Sequence, residues 1–240
     1  MNTVFDPGHA LPQLEETILA TTRYLAALTE LSDDDCRAPS LLPRWSRGHV
    51  ITHLSRNADA LANLLHWAQT GVETPMYPTN EARDLEIEAG AGRSVEELRA
   101  DASASSGRFL QAANEVHSNR LSALVSRTPG STPFAAREVG RLRRTEVEVH
   151  HADLGIGYTA RDWPVSFTRL LLERRAAELS DRGQGMVWRL TDLDQTVVVG
   201  DGGPEVSGPG ADLAWWLIGR GDGADLSVSD GDLPTIGRWA

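Results

Sequence analysis

The segment Arg141–Gly155 (RLRRTEVEVHHADLG) constrains the fold more than any other, because it places ionisable groups on an otherwise apolar helix face. Glu146 and His150 are four residues apart and therefore lie one above the other on the same side of a helix. The same side also carries Val139, Leu142 and Asp153. A charge on a buried face needs a partner. Two explanations remain open at this point, a salt-bridged pair or a bound metal ion.

A second helix is predicted over Trp45–Thr70, with Ser46 as its N-cap. It carries His49 and His53, again four residues apart. His53 shares a face with Asn57, Ala60 and Leu64 and should point inward. His49 lies within a turn of the helix start, so His53 is the better candidate ligand, although the two could exchange roles. A core histidine bonded to a neighbouring carbonyl is the alternative interpretation of His53.

Two histidines and one carboxylate on two packed helices form a known type of open divalent metal site, which leaves a position for a reacting group. The predicted ligands are His53, Glu146 and His150. Nitrogen and oxygen ligands of this kind suit Zn²⁺, although other divalent ions fit the same set. His151 is rotated by about 100° from His150 and cannot share its face, yet it remains a possible competing ligand.

Several longer stretches carry a family resemblance. They are TRYLAAL near the start, WSRGHVITHLSRNADAL and RRTEVEVHHADLG around the candidate ligands, LLHWAQTGVETPMYPTNEAR between them, and WWLIGRGDG near the end. With these stretches the chain resembles the mycothiol-dependent maleylpyruvate isomerases of the DinB-like family over nearly its whole length. The His and Glu-x-x-x-His pattern is typical of the wider family, whereas HWAQTGVETPMYPTNEAR is much more specific to the isomerase branch.

The resemblance implies a metal- and mycothiol-dependent cis-trans isomerase. The family's metal ligands fall on His53, Glu146 and His150, the three residues that the helix geometry selects. The open metal position would take the thiol of mycothiol, which a metal holds as a thiolate. The implied reaction converts maleylpyruvate to fumarylpyruvate. Thiolate addition turns the cis double bond into a single bond, rotation follows, and loss of the thiol restores a trans double bond.

The implied reaction needs groups that stabilise carboxylates and a developing enolate, and arginine is a usual choice. The candidates are Arg83, in the long connection after the second helix, and Arg220, in WWLIGRGDG. If Arg220 reaches the metal pocket, the cleft lies between two domains, a common position for a ligand. Two structural interpretations stay open: Arg220 could complement its helix dipole, and Arg83 could pair with a neighbouring glutamate.

Two further residues, Asn57 and Tyr77, are predicted to line the pocket and contact the thiol cofactor. Asn57 follows His53 by one helical turn. Tyr77 belongs to the family-specific run. Both are expectations that rest on their position near the predicted metal ligands.

The domain organisation is predicted from periodicity, caps and turn residues. Residues 1–160 are expected to form a DinB-like four-helix bundle with the metal site, and residues 161–240 a small α+β domain, so that the fold class is α+β. The bundle helices are predicted at Pro12–Leu31, Trp45–Thr70, from a Ser94 capping box onward, and from about Pro133 to Gly155 or Gly157. Ser32–Pro43 and Val72–Arg93 are predicted to be irregular connections, the second long enough to be functional.

The predicted tail alternates helices and short strands. Helices are expected at Val165–Arg182 and Ala211–Gly219, and strands at Met186–Thr191, Gln195–Val199 and Leu226–Ser229. The run GDGGPEVSGPG is predicted to be a loop without the context of a phosphate-binding loop.

Composition narrows the functional classes. A formal charge of -11 argues against nucleic acid as a partner. The single cysteine, Cys36, rules out an internal disulfide, and its acidic surroundings would raise the thiol pKa. The first residues do not resemble a signal peptide, and no apolar run approaches the length of a membrane span. We therefore expect a cytoplasmic monomer or weak homo-oligomer that binds a small substrate and a low-molecular-weight thiol.

Three alternatives to the isomerase remain. A mycothiol S-transferase of the same fold would use the same thiolate and stop after addition. A non-catalytic module would hold a structural metal or none. A metallohydrolase would bind hydroxide at the open position, although no dedicated general base lies close to the ligands in the sequence.

Overall fold

The computed structural model describes residues 11–236, and over these residues the chain divides into two compact units between Tyr158 and Thr159. The prediction that the first residues do not resemble a signal peptide falls mostly on residues 1–10, which lie outside the described residues. Within residues 11–236, no helix has both the length and the apolar character needed to cross a membrane. The first unit is helical and the second mixes helices with a sheet, which confirms the predicted α+β class.

Over residues 11–158, the first unit contains six α-helices. They are α1 (Leu14–Leu28), α2 (Asp33–Arg37), α3 (Arg47–Thr70), α4 (Asn80–Ala91), α5 (Val95–Glu115) and α6 (Val139–Asp153). Helix α3 packs against α5 and α6, and α1 packs against α6 and α5, so these four helices form the predicted bundle. Helix α4 lies along α3 outside the four.

Capping residues explain where the central helices begin. The Ser46 hydroxyl accepts a hydrogen bond from the backbone N–H of His49, and the His49 side chain in turn accepts one from the backbone N–H of Ser46. The same reciprocal arrangement joins Ser94 and Glu97 at the start of α5. Each box satisfies two backbone donors that a helix start leaves unpaired. Both caps agree with the sequence prediction.

Three connections differ from their predictions. Ser32–Pro43 contains the short helix α2, which a Ser32–Asp35 capping box starts. The segment predicted as irregular at Val72–Arg93 contains the 12-residue α4, whose only large buried apolar side chain is Ile87, so its periodicity was too weak to detect. Pro133 does not open the last bundle helix. It precedes β2 (Phe134–Ala135), which pairs with β1 (Leu124–Val125), and a short 3₁₀ turn then leads into α6.

The core of the bundle consists of two apolar clusters. One includes Val50, Ile51 and Leu54 of α3, Val147 of α6 and Leu154 at the end of α6. The other includes Ala58, Leu61 and Leu64 of α3 and Val139 of α6. On both helices, one cluster gives way to the other at a group of polar side chains. His53 and Asn57 on α3 and Arg143 on α6 are buried, and Glu146 on α6 is partly buried. The fold therefore carries a polar layer at one level of the bundle.

The second unit contains α7 (Val165–Asp181), α8 (Gly210–Leu217) and a four-stranded sheet. The strands are β3 (Met186–Leu190), β4 (Gln195–Val199), β5 (Glu205–Gly208) and β6 (Ser227–Val228), in the order β4-β3-β5-β6. β5 runs parallel to β3, and the other two pairs are antiparallel. The prediction of a loop at β5 was wrong. Its Gly- and Pro-rich sequence is a poor strand former, and the strand forms because β3 and β6 both offer it backbone hydrogen-bond partners.

Candidate metal centre

Three side chains from α3 and α6 converge in the polar layer. His53, Glu146 and His150 each offer one ligand atom, and these atoms all lie within 4.8 Å of one another. The Glu146 Oε2 atom is 2.9 Å from His53 Nε2 and 3.4 Å from His150 Nε2. The four-residue spacing on α6 sets the second distance, and the packing of α3 on α6 sets the first. The structure therefore brings together all three predicted ligands.

The electrostatics of the cluster are set by burial and by its own hydrogen bonds. Burial alone would raise the pKa of Glu146, but hydrogen bonds from His150 and His53 hold it well below its usual range. Burial lowers the pKa of His53, and the hydrogen bond to Glu146 only partly opposes this shift. Glu146 is therefore an anion and His53 a neutral imidazole at neutral pH.

Asp153 holds the ring of His150, the third predicted ligand, in place. Its Oδ2 atom lies 2.9 Å from His150 Nδ1, and the carboxylate is completely buried. Burial by itself would lower the pKa of His150, but the hydrogen bonds to Asp153 and Glu146 outweigh it and raise the pKa to about 9. Metal-binding histidines usually have such a carboxylate on their second nitrogen, because it fixes ring orientation and tautomer. The spacing His-x-x-Asp was visible in the sequence, but it was not assigned this role.

The donor set fits a divalent metal ion. Metal–ligand bonds of about 2.1 Å in a tetrahedral site place the ligand atoms about 3.4 Å apart. The distances of 2.9 and 3.4 Å around Glu146 are close to this value. Two imidazole nitrogens and one carboxylate oxygen leave one tetrahedral position without a protein ligand. In addition, the buried Nδ1 atom of His53 has no hydrogen-bond partner among residues 11–236.

The other histidines near the cluster have different contacts. The His49 side chain caps α3 through Ser46 and lies 3.4 Å from Glu88 at the surface. His151 is buried on another face of α6, where its ring stacks on Tyr158 with a centroid separation of 4.0 Å. Neither histidine joins the three-residue cluster in the structure.

An aromatic ring covers part of the cluster. The ring of Trp45, just before α3, lies 5.6 Å from the ring of His53 and stacks on His49 at 6.2 Å, centroid to centroid. His53 and His150 meet edge to face at 4.6 Å. The sequence predicts Trp45 only as the first residue of a helix, because no spacing rule links it to the candidate ligands.

Asn57 is already engaged inside the bundle. Its side-chain oxygen accepts a hydrogen bond of 2.9 Å from the buried guanidinium of Arg143, whose same nitrogen also donates to the Leu54 carbonyl at 2.8 Å. Contact between Asn57 and a thiol cofactor remains a prediction. In the structure, the Asn57 side-chain oxygen already accepts the hydrogen bond from Arg143. The arginine itself was not identified in the sequence, although it lies three residues before Glu146 on the same helix face.

Tyr77 and Arg83 lie in the electrostatic neighbourhood of the cluster. Tyr77 is buried, and burial together with the charge of Glu146 raises its pKa to about 12. The charge of Arg83 lowers the pKa of both Tyr77 and His53. Arg83 lies on α4, not in an irregular loop, and its nearest carboxylate is Asp84 at 3.7 Å, which replaces the expected glutamate partners.

Arg220 belongs to the second unit. It follows α8 and Gly219, and its backbone N–H donates to the Trp215 carbonyl at 3.0 Å. Its assignment to substrate binding remains a prediction from the sequence.

Comparison with known proteins identifies similar chains. The family model described as the mycothiol maleylpyruvate isomerase N-terminal domain matches residues 19–155, a range that contains the whole His53–Glu146–His150 cluster. A crystal structure of the mycothiol-dependent maleylpyruvate isomerase is similar to the chain, with 32% sequence identity, a TM-score of 0.85 and coverage of 95% of each chain. A structure of a histidine-to-alanine mutant of the mycothiol-dependent maleylpyruvate isomerase gives the same values. Curated protein sequences gave no significant match.

Proposed function

The chain belongs to the mycothiol maleylpyruvate isomerase family, and from this premise we propose that it is an isomerase that converts maleylpyruvate to fumarylpyruvate with mycothiol as its thiol. The observation that carries the proposal is the convergence of two histidines and one carboxylate within 4.8 Å, inside the segment that matches the family. The family match and both solved structures are named for the isomerase, so they favour it over an S-transferase or a non-catalytic module.

We propose that His53, Glu146 and His150 hold a divalent ion, with Zn²⁺ as the best match to two imidazoles and one carboxylate. Bound there, the ion would supply the acidity that ionises a thiol at neutral pH. The protein does not offer such a group itself. Its single cysteine, Cys36, is buried, and burial followed by the charge of Asp33 raises its pKa. The reactive thiolate therefore has to come from a small molecule.

The surrounding side chains would prepare this site in three ways. Asp153 fixes the ring of His150 and keeps its Nε2 atom directed at the cluster. Trp45 covers one side of His53 and reduces access of water. Arg83 supplies positive charge near His53 and Tyr77, where a substrate with two carboxylates would bind. We keep Arg220 as a second carboxylate-binding residue on the strength of its sequence motif alone.

The proposed reaction sets the biological context. A cis-to-trans isomerisation of maleylpyruvate belongs to the breakdown of aromatic compounds, and we propose a catabolic role in the cytoplasm for this chain. Both statements rest on the substrate assignment and on the expectation from composition.

The first test is the decay of maleylpyruvate absorbance with purified protein and mycothiol, beside a reaction without thiol. We expect thiol-dependent formation of fumarylpyruvate. His53→Ala should abolish it, because it removes one of three ligands. His66→Ala is the matched control, since His66 is an exposed histidine on the same helix, and it should retain full activity.

Two results would contradict the proposal. Consumption of thiol without formation of the trans isomer would indicate the S-transferase. No turnover by folded protein with one bound metal ion per chain would show that maleylpyruvate is not the substrate.

A further inference from the structure

The buried cation Arg143 has no established part in the site, and its surroundings are unusual. Its side chain is 1% exposed, and it sits on α6 three residues before Glu146. One terminal nitrogen donates to the Leu54 carbonyl and to the Asn57 oxygen, both on α3. The guanidinium carbon lies 6.0 Å from the centre of the Phe109 ring. Arg143 thus links the two helices that carry the metal ligands, at the level of those ligands.

The charge of Arg143 is not balanced by an ion pair within residues 11–236. Its hydrogen-bond acceptors are a carbonyl and an amide, both neutral, and its Nε atom and second terminal nitrogen are buried without a hydrogen-bond partner. Burial lowers the pKa of Arg143 to about 10, so the group is still protonated at neutral pH. A buried charge without an ion-pair partner is costly. A structural role alone would be served better by a neutral side chain or by a paired arginine.

One of the ionisable groups that interact with Arg143 belongs to the candidate metal cluster. Four ionisable groups near Arg143 would oppose the lowering of its pKa when they are ionised, namely Tyr24, Glu146, Tyr77 and Asp59. At neutral pH the two tyrosines are neutral, because burial raises the pKa of both. Asp59 is bound by Arg108, with nitrogen–oxygen distances of 2.7 and 3.0 Å. Glu146 is the remaining carboxylate, and a divalent ion would neutralise it.

We infer that Arg143 is an electrostatic positioning residue, whose buried charge favours an anion over a neutral ligand at the open position of the metal centre. With a divalent ion in the cluster, Glu146 and the buried Asp153 carboxylate on His150 balance its two charges, so the charge of Arg143 remains as an excess of positive charge in the interior. The ligand that balances this excess is an anion. This inference rests on the proposed metal centre and specifies the class of ligand that it prefers, a thiolate or a carboxylate.

The test uses the Co²⁺-loaded protein, with azide as the anionic probe and imidazole as the neutral probe. Each ligand is titrated against the visible absorption of the bound Co²⁺, and the ratio of the two affinities is measured. Arg143→Met should lower the azide-to-imidazole ratio about tenfold or more, because a low-dielectric interior screens the lost charge weakly. Arg143→Lys keeps the charge and should retain the ratio within about threefold.

Arg141→Met is the matched control. Arg141 lies on the same helix, but its charge is paired with Glu138 at 2.8 Å, so its loss should leave the ratio unchanged. A purely structural effect of Arg143→Met would weaken both probes equally. An unchanged ratio in Arg143→Met, or a parallel loss of both affinities, would overturn the inference.

If Arg143→Met does not fold or does not bind Co²⁺, Arg143→Lys tests whether the charge sets the azide-to-imidazole ratio. A retained ratio in Arg143→Lys supports the charge, since lysine keeps the positive charge and replaces the guanidinium group. A tenfold lower azide-to-imidazole ratio in Arg143→Lys overturns the inference. The assay contains neither mycothiol nor maleylpyruvate, so its outcome is separate from that of the proposed isomerase reaction.

Discussion

Proton competition at His150 should make metal binding depend strongly on pH. Hydrogen bonds to Asp153 and Glu146 raise the pKa of His150 to about 9 despite burial, whereas burial lowers the pKa of His53. At pH 7 the metal-free protein therefore holds a proton on His150 and none on His53. A metal ion binds only the neutral imidazole. Each binding event at pH 7 must displace one proton, and that proton comes from His150.

The size of the effect follows from the raised pKa. At pH 7 the solution is about two pH units below the pKa of His150, so the proton weakens apparent metal affinity about 100-fold, or about 2.7 kcal/mol. Between pH 6.5 and 8.5 the apparent dissociation constant should fall about tenfold per pH unit. Above pH 9 it should level off, because His150 is then already neutral.

Two measurements check this. Competition between the protein and a chelator gives the dissociation constant for Zn²⁺ at each pH. Calorimetric titration in two buffers of different ionisation enthalpy gives the number of protons released, which should be close to one at pH 7.

Asp153→Asn is the informative variant. Without the carboxylate, the pKa of His150 should fall towards its ordinary value, and most of the pH dependence above pH 7 should disappear. At pH 9, where the proton no longer competes, the variant should bind metal about 10- to 100-fold more weakly, because the ring of His150 has lost its orienting partner.

Either of two results would refute this reasoning. A dissociation constant that does not change between pH 6.5 and 8.5 would show that His150 is already neutral in the metal-free protein. Binding of Zn²⁺ at pH 7 without release of any proton would show the same.

Three further predictions concern packing in the bundle. Asn57→Leu removes a neutral acceptor from the buried cation Arg143 and should cost about 1.5–3 kcal/mol in the free energy of unfolding, measured by urea titration. Gly48→Ala should destabilise the protein by about 1–3 kcal/mol in the same assay, although alanine is the better helix former, because the new methyl group would overlap the Ala91 carbonyl of α4. Gly107→Ala should instead stabilise it by about 0.5–1 kcal/mol, since the added methyl group meets open space; a loss of stability there would contradict the packing argument.

Local spacing was sufficient to select the metal cluster. Residues four apart on a helix share a face whatever the rest of the fold does, so Glu146 and His150 had to lie together. The choice of His53 over His49 also came from local information, since His49 lies near the helix start, where its side chain acts as a cap. Serine caps at Ser46 and Ser94 likewise act within four residues and were predicted correctly.

Elements with weak local signals were missed. Helix α4 has one large buried apolar side chain and forms because two glycines allow close approach to α3: Gly48 lies against Ala91, and Gly90 against Thr52. Strand β5 has a sequence that disfavours strands and depends on the backbone partners that β3 and β6 provide. In both cases the stabilising contacts come from segments distant in the chain, which periodicity and turn residues do not record.

The sequence by itself determined the bundle helices, their caps and the convergence of His53, Glu146 and His150, because each depends on interactions within a few residues of one helix or on a single pairing of two apolar faces. The tertiary structure alone decided which polar side chains meet across the bundle. It placed the guanidinium of Arg143 on α6 against the Asn57 oxygen and the Leu54 carbonyl on α3. These contacts depend on how far α3 and α6 slide and rotate against each other, and that register is set by the packing of whole helices.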